Sequence, residues 1–224
     1  MKRLLALASL LVLAACGSSG PPPPDWKTDA ADLIERYKKH ALQGENLLAE
    51  RYFKQAIAAT GGAGRVSETA RLWLVRCATR RAMLIDDPCN DYQALASAAP
   101  QPDDAAYFRF ITLDWDAIEN AHLPAQYRDL IKAQPDQRPA GLARIGDPLS
   151  KLLAASLLVQ RGEAAPETLL LATETASHHG WRQPLLTYLK LLEQQAQQAG
   201  DSVQVQRHRL RIDLIKDSLA SGRR

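Results

Sequence analysis

Long apolar runs are scarce in this chain. The clearest, Leu4 to Ala14, is eleven residues. A membrane-spanning helix needs roughly 20, so this run is too short to cross a bilayer and fits the h-region of a signal segment. An excess of one charge is also missing. The formal net charge is +3, and it falls to +1 without Lys2 and Arg3. That balance excludes a strong field for nucleic acid or other polyanions. Cysteine is rare, with three in 224 residues. No alternating β-type run of useful length occurs, which argues against a sheet. Gly-x-Ser-x-Gly, phosphate-loop, His-Glu-x-x-His and Rossmann patterns are all missing. No cofactor or metal is implied.

What is present begins at the N-terminus. Lys2 and Arg3 precede the apolar run, which ends in Leu13-Ala14-Ala15-Cys16. This ending resembles the lipobox of bacterial lipoproteins. The resemblance implies that residues 1–15 are a signal peptide and that Cys16 becomes the lipidated first residue, carrying palmitate-type acyl chains. Residue 17 is Gly rather than the Asp of inner-membrane retention in the enteric pattern. The resemblance therefore implies the outer membrane, periplasmic face. Several acyl chains anchor stably where one does not. The next stretch, Gly17 to Pro24, is Gly/Ser-rich and then four prolines. At ~3.1 Å per residue it reaches roughly 25 Å, which holds the following domain close to the membrane.

That setting is oxidising, so Cys77 and Cys89 are expected to form a disulfide. With a helix ending near Ile85, the chain has to double back at once, and Asp86-Asp87-Pro88 suits such a turn. The alternative is a buried Cys77 and an unrelated loop thiol at Cys89.

Residues 26–220 read as one all-helical domain with a sub-boundary near 134–147, followed by a short tail, 221–224. Ala30, Leu33, Ile34, Tyr37 and Ala41 recur at helical spacing, as do Ala49, Phe53, Ala56, Ile57 and Thr60. A third face is Ala70, Leu74, Cys77, Ala78 and Ile85. Shorter helices are expected over Tyr92–Ala99, Asp104–Ala121 and Pro124–Ala133. Further on, Pro148, Pro166 and Pro184 recur every eighteen residues. Each is expected at the first position of a helix, where its missing N–H does no harm. Gly162, Gly180 and Gly200 follow as left-handed helix ends, and Asp147 and Asp201 read as N-caps. Two such units are the length of a helical-hairpin repeat.

Gly44, Ala49, Phe53 and Ala56 match the second half of a tetratricopeptide repeat in type and spacing. The chain thus resembles that family over one half-repeat. Elsewhere it departs: Gly61 stands where the family has Pro, and Leu33, Arg36 and Tyr37 replace the first-helix pattern. The expected fold is an α-α superhelix, a degenerate tetratricopeptide-like solenoid; the alternative is an irregular helical bundle.

Candidate chemical sites are sparse. His178 and His179 are adjacent, so on a helix they diverge by about 100° and share a metal poorly. Asp86, Asp87, Asn90 and Asp91 lack the pattern of a calcium loop and read as turn residues. Asp114, Asp116 and Glu119 read as a solvated helix face. The catalytic Glu-Ser pair of transglycosylases has no counterpart; Glu68 and Glu174 are the nearest residues. Trp73, Trp115 and Trp181 read as core or wedge residues, and Trp26 as an exposed edge. The basic C-terminal segment with Arg207, Arg209, Arg211 and Lys216 reads as a solvated helix face, or as a contact for lipid headgroups or an acidic partner. The functional expectation is a non-enzymatic scaffold that binds a protein or peptide partner, with no nucleic acid. Cell-wall enzyme or activator, and structural envelope protein, are the alternatives.

Overall fold

The computed structural model describes residues 22–221, with side chains to residue 219. Cys16, the expected signal peptide and residues 222–224 lie outside the described residues. The described chain is all-α, with eleven α-helices and two short 3-10 turns.

Helix α1 (Asp25–Gln43) buries Ala30, Ile34, Tyr37 and Ala41 along one stripe. It stops at Gly44, whose φ of +81° is left-handed. There the Glu45 N–H donates to the His40 carbonyl and closes the end. Helix α2 (Asn46–Gly62) returns antiparallel and buries Ala49, Phe53, Ala56 and Thr60. Small Ala49 and Ala56 let the two backbones approach. The Phe53 ring lies 5.2 Å from Tyr37 and 4.7 Å from Trp73, which wedges it between α1, α2 and α3.

Helix α3 (Val66–Ala82) is buried on more than one side. Ala70, Leu74 and Cys77 face one core and Leu72 another. The helix ends at Ala82, three residues before Ile85. Leu84 turns left-handed at φ +58°, and the Ile85 N–H donates to the Arg80 carbonyl. This tight reversal, rather than a longer helix, sends the chain back toward Cys77.

Four short helices follow: α4 (Asn90–Ala96), α5 (Pro102–Ile111), α6 (Ala125–Lys132) and α7 (Arg138–Gly141). The expected helix over Asp104–Ala121 breaks after Ile111. Leu113 has φ +70°, and a 3-10 turn covers Trp115–Ala117. The cause is Trp115, which folds back so that its indole N–H donates to the Phe110 carbonyl at 2.8 Å. A continuing helix would put that carbonyl into its own ladder.

Regularity then resumes. Helix α8 (Pro148–Arg161) is buried nearly all round through Leu152, Leu153, Ala154, Ala155, Leu157 and Leu158. It packs on α3 and on α9 (Pro166–His178). Helices α10 (Arg182–Gln198) and α11 (Ser202–Ser221) stack on in order. Pro148 and Pro166 open their helices, whereas Pro184 is the third residue of α10. A first-turn N–H has no helical partner at either place, so proline is tolerated at both. Gly162, Gly180 and Gly200 have φ of +71°, +65° and +71°. After each, the next N–H reaches back to Leu158, Ala176 and Ala196 respectively. Consecutive helices thus pack as in a helical-repeat array. The array also closes as in a bundle, because α1 touches α10 and the Tyr188 hydroxyl donates to the Ala82 carbonyl of α3 at 3.3 Å.

Candidate binding groove

Closure of α1 onto α10 creates a groove of about 740 Å³. Its walls are the α1–α2 turn, the first turn of α10 and Leu219 near the end of α11. Gly44 makes the approach feasible twice over. Its backbone is left-handed, and a Cβ there would stand 3.3 Å from Gln183 Oε1. Arg182 donates to Glu45 at 3.1 Å, while the other Glu45 oxygen meets His40 Nδ1. This chain of three polar groups ties the turn to α10. Leu47 projects at the rim and is 93% exposed. No side chain caps the first turn of α2 or α10. Those turns present positive dipole ends and unpaired N–H groups. The groove therefore combines apolar contact from Leu47 and Leu48 with a side that suits a carboxylate.

A smaller cavity of about 180 Å³ opens between α3 and the start of α8. Lys38, Thr79, Tyr107, Tyr127, Asp147 and Ser150 contribute to its lining. Burial pushes the Tyr127 hydroxyl up to about 12 and raises Tyr107 well above the usual tyrosine value. Both hydroxyls stay protonated at neutral pH and serve as hydrogen-bonding groups rather than nucleophiles.

The sequence candidates fall in scattered places. Cys77 and Cys89 form a disulfide, with Cα atoms 5.6 Å apart. Asp87 organises the turn beside it: one carboxylate oxygen accepts the Cys89 N–H at 2.9 Å and the other pairs with Arg80 at 2.7 Å. Cys77, Asp87 and Cys89 sit close enough to ligate a metal together, but the disulfide occupies both sulfurs. Asp86 is exposed. His178 and His179 are exposed, and His179 stacks on Trp181 at 4.9 Å. Glu68 pairs with Arg65 in the first turn of α3, and this hydrogen bond lowers its pKa. Glu119 lies in a loop beside His122, and Glu174 is exposed on α9. These three carboxylates sit on separate elements and converge on no common cleft. Asp114 and Asp116 are exposed at the 3-10 turn, not on a helix face. Trp26 is half-buried under the Arg65 guanidinium. Gly44, Ala49, Phe53 and Ala56 lie along the α1–α2 contact.

One arrangement escaped the sequence entirely. The guanidinium groups of Arg138 and Arg161 both pack on the Trp115 ring, 4.8 and 4.3 Å from its centroid. Glu163 accepts from both arginines, at 2.6 and 2.8 Å. Burial works to raise the Glu163 pKa, but the two arginine hydrogen bonds outweigh it and the net shift is downward. That is the signature of a structural ion pair, not of a general acid. The four residues lie up to 48 positions apart, so no local spacing announces them.

The chain matches no family model, no curated protein and no solved structure. No helix among the described residues is long and apolar enough to cross a membrane.

Proposed function

We propose that this protein is a lipid-anchored, non-enzymatic scaffold of the bacterial outer membrane, facing the periplasm, which captures a protein or peptide segment. The observation that carries this reading is the groove where the α1–α2 turn, α10 and α11 meet. Its volume falls in the range of ligand sites, and its lining pairs a few apolar side chains with placed polar groups. Leu47 supplies a protruding apolar contact. The open helix starts favour an acidic side chain or a terminal carboxylate, and the Arg182–Glu45 pair holds the two walls in place. The anchor follows from the Leu13-Ala14-Ala15-Cys16 ending and the short proline linker, which keep the groove near the bilayer.

A photo-crosslinking residue at Leu47, in intact cells, tests the groove. The expected result is a discrete adduct that disappears when Arg182→Glu is added. An adduct pattern identical to that from exposed Leu170 on α9 would overturn the proposal. The anchor is tested separately: Cys16→Ser is expected to abolish acylation, read by intact mass. An acyl-free chain in the unaltered protein would overturn that part.

A further inference from the structure

Helix α11 is held to the molecule by few anchors. Of its twenty residues, His208 and Ile212 are the two that are buried among those described. Ile212 packs with Leu185 and Leu189 of α10. Arg209 adds a solvent-exposed bond to Glu193 of α10 at 2.8 Å. An element with so little buried surface opens before the core does.

His208 is the unusual anchor. It is 8% exposed, and its Nδ1 is sealed from solvent with no hydrogen-bond partner among the described residues. The charged groups that bear on the ring are Arg207 and Arg211 on its own helix, Glu193 on α10 and Asp201 in the connecting turn. Neither carboxylate bonds the ring. Glu193 accepts from Arg209 and Gln197, and Asp201 accepts the Gln204 N–H. A neutral imidazole has one N–H, which Nε2 can carry, and Nδ1 is then a bare acceptor. The imidazolium has an N–H on both nitrogens. Charging the docked ring therefore places a donor where nothing accepts it, beside two arginines.

We propose that His208 is a pH-sensitive latch: when its ring takes up a second proton, α11 is released from α10, and the wall that Leu219 gives the groove goes with it. In the released helix the ring is solvated and titrates at its ordinary 6.5. In the docked helix burial first, then Arg211 and Arg207, hold its pKa below that. The docked form is thus fully favoured above the ordinary value and loses ground as pH falls through the depressed one. Leu219 lines the groove near the end of the same helix, so release at His208 reaches the groove through one continuous element. The consequence for binding rests on the groove reading above; the release itself does not.

Hydrogen exchange of the full chain, without any partner, tests the latch. Protection is compared at pH ~7.5 and ~5, after correction for the intrinsic exchange rate, with α8 as the reference. Amides from His208 to Leu219 are expected to lose protection by about tenfold at the lower pH, the factor that one buried unpaired donor is worth. His208→Phe keeps an aromatic anchor that cannot titrate, and its α11 is expected to stay equally protected at both values. Unchanged protection in the parent, a loss confined to residues 202–206, or the same loss in His208→Phe overturns the proposal. Because no partner is present, any of these outcomes leaves the groove reading standing.

Discussion

The segment from Leu84 to Gly146 and the segment from Asp147 onward solve the same packing problem by different means. The later segment repeats one device: a helix, a left-handed glycine, a reversal and another helix. Its cohesion comes from aliphatic side chains recurring along α8, α9 and α10. The earlier segment has short helices and three non-glycine residues at positive φ, Leu84, Cys89 and Leu113. Its cohesion comes from specific fastenings: the Cys77–Cys89 bridge, the Phe110–Trp115–Tyr127 ring cluster and the Trp115–Arg138–Arg161–Glu163 assembly. Periodic burial tolerates change at any one position. Fastenings concentrate the stabilisation in a few residues, and each is correspondingly vulnerable.

The sharpest way to break this contrast is at Phe110. Its ring is fully buried and stacks 5.4 Å from Trp115 and 4.5 Å from Tyr127. Phe110→Ala is expected to cost about 4 kcal/mol in urea unfolding. A loss under 2 kcal/mol would mean that the ring cluster is not what holds the short helices. Next is the bridge. Replacing both Cys77 and Cys89 with Ser should cost about 3 kcal/mol by loop closure, read from the same unfolding curves. Third is Glu163→Gln, which leaves two arginines beside Trp115 without their carboxylate. The group is mostly buried, so a loss of about 2 kcal/mol is expected at pH 7. The pH dependence fixes the mechanism. Because the folded-state pKa is lowered below the ordinary 4.5, the stabilisation is complete above that value and is lost as pH falls through the depressed one. The difference between parent and variant should therefore be flat above pH ~5 and shrink below it.

The same contrast governs what could be read in advance. The later segment was legible because its signals are local. Pro148 and Pro166 begin helices, Gly162, Gly180 and Gly200 end them, and apolar spacing identifies the buried faces. Even there Pro184 sits two residues inside α10, because proline is equally harmless at any first-turn position. The helix break after Ile111 was not legible. It depends on the Trp115 indole reaching the Phe110 carbonyl and on Arg161 donating to the Leu113 carbonyl at 3.2 Å from another helix. The bridge was legible because the expected oxidising setting, the spacing and the Asp86-Asp87-Pro88 turn all pointed to it. The groove was not. Its walls come from residues 44–48, 182–183 and 219, which share no local pattern, and only Gly44 gave a hint, as a helix end.

The smallest expected effects divide the regular segment itself. Asp147 caps α8 by accepting the Ser150 N–H at 2.7 Å, and Asp201 caps α11 by accepting the Gln204 N–H at 3.0 Å. Each cap contributes about 1 kcal/mol to its helix. The two substitutions to Ala should nevertheless read differently. Helix α8 lies between α3 and α9, so it cannot open without exposing the central core. Asp147→Ala should therefore appear in full in global unfolding. Helix α11 packs chiefly against α10 and can fray at its first turn while the rest stays folded. Asp201→Ala should leave the urea midpoint nearly unchanged and instead accelerate amide exchange around Val205 and Gln206 by about fivefold. Equal global losses from both variants would show that α11 unfolds together with α8. The regular segment would then be one cooperative unit, and its outermost helix as firmly held as its innermost.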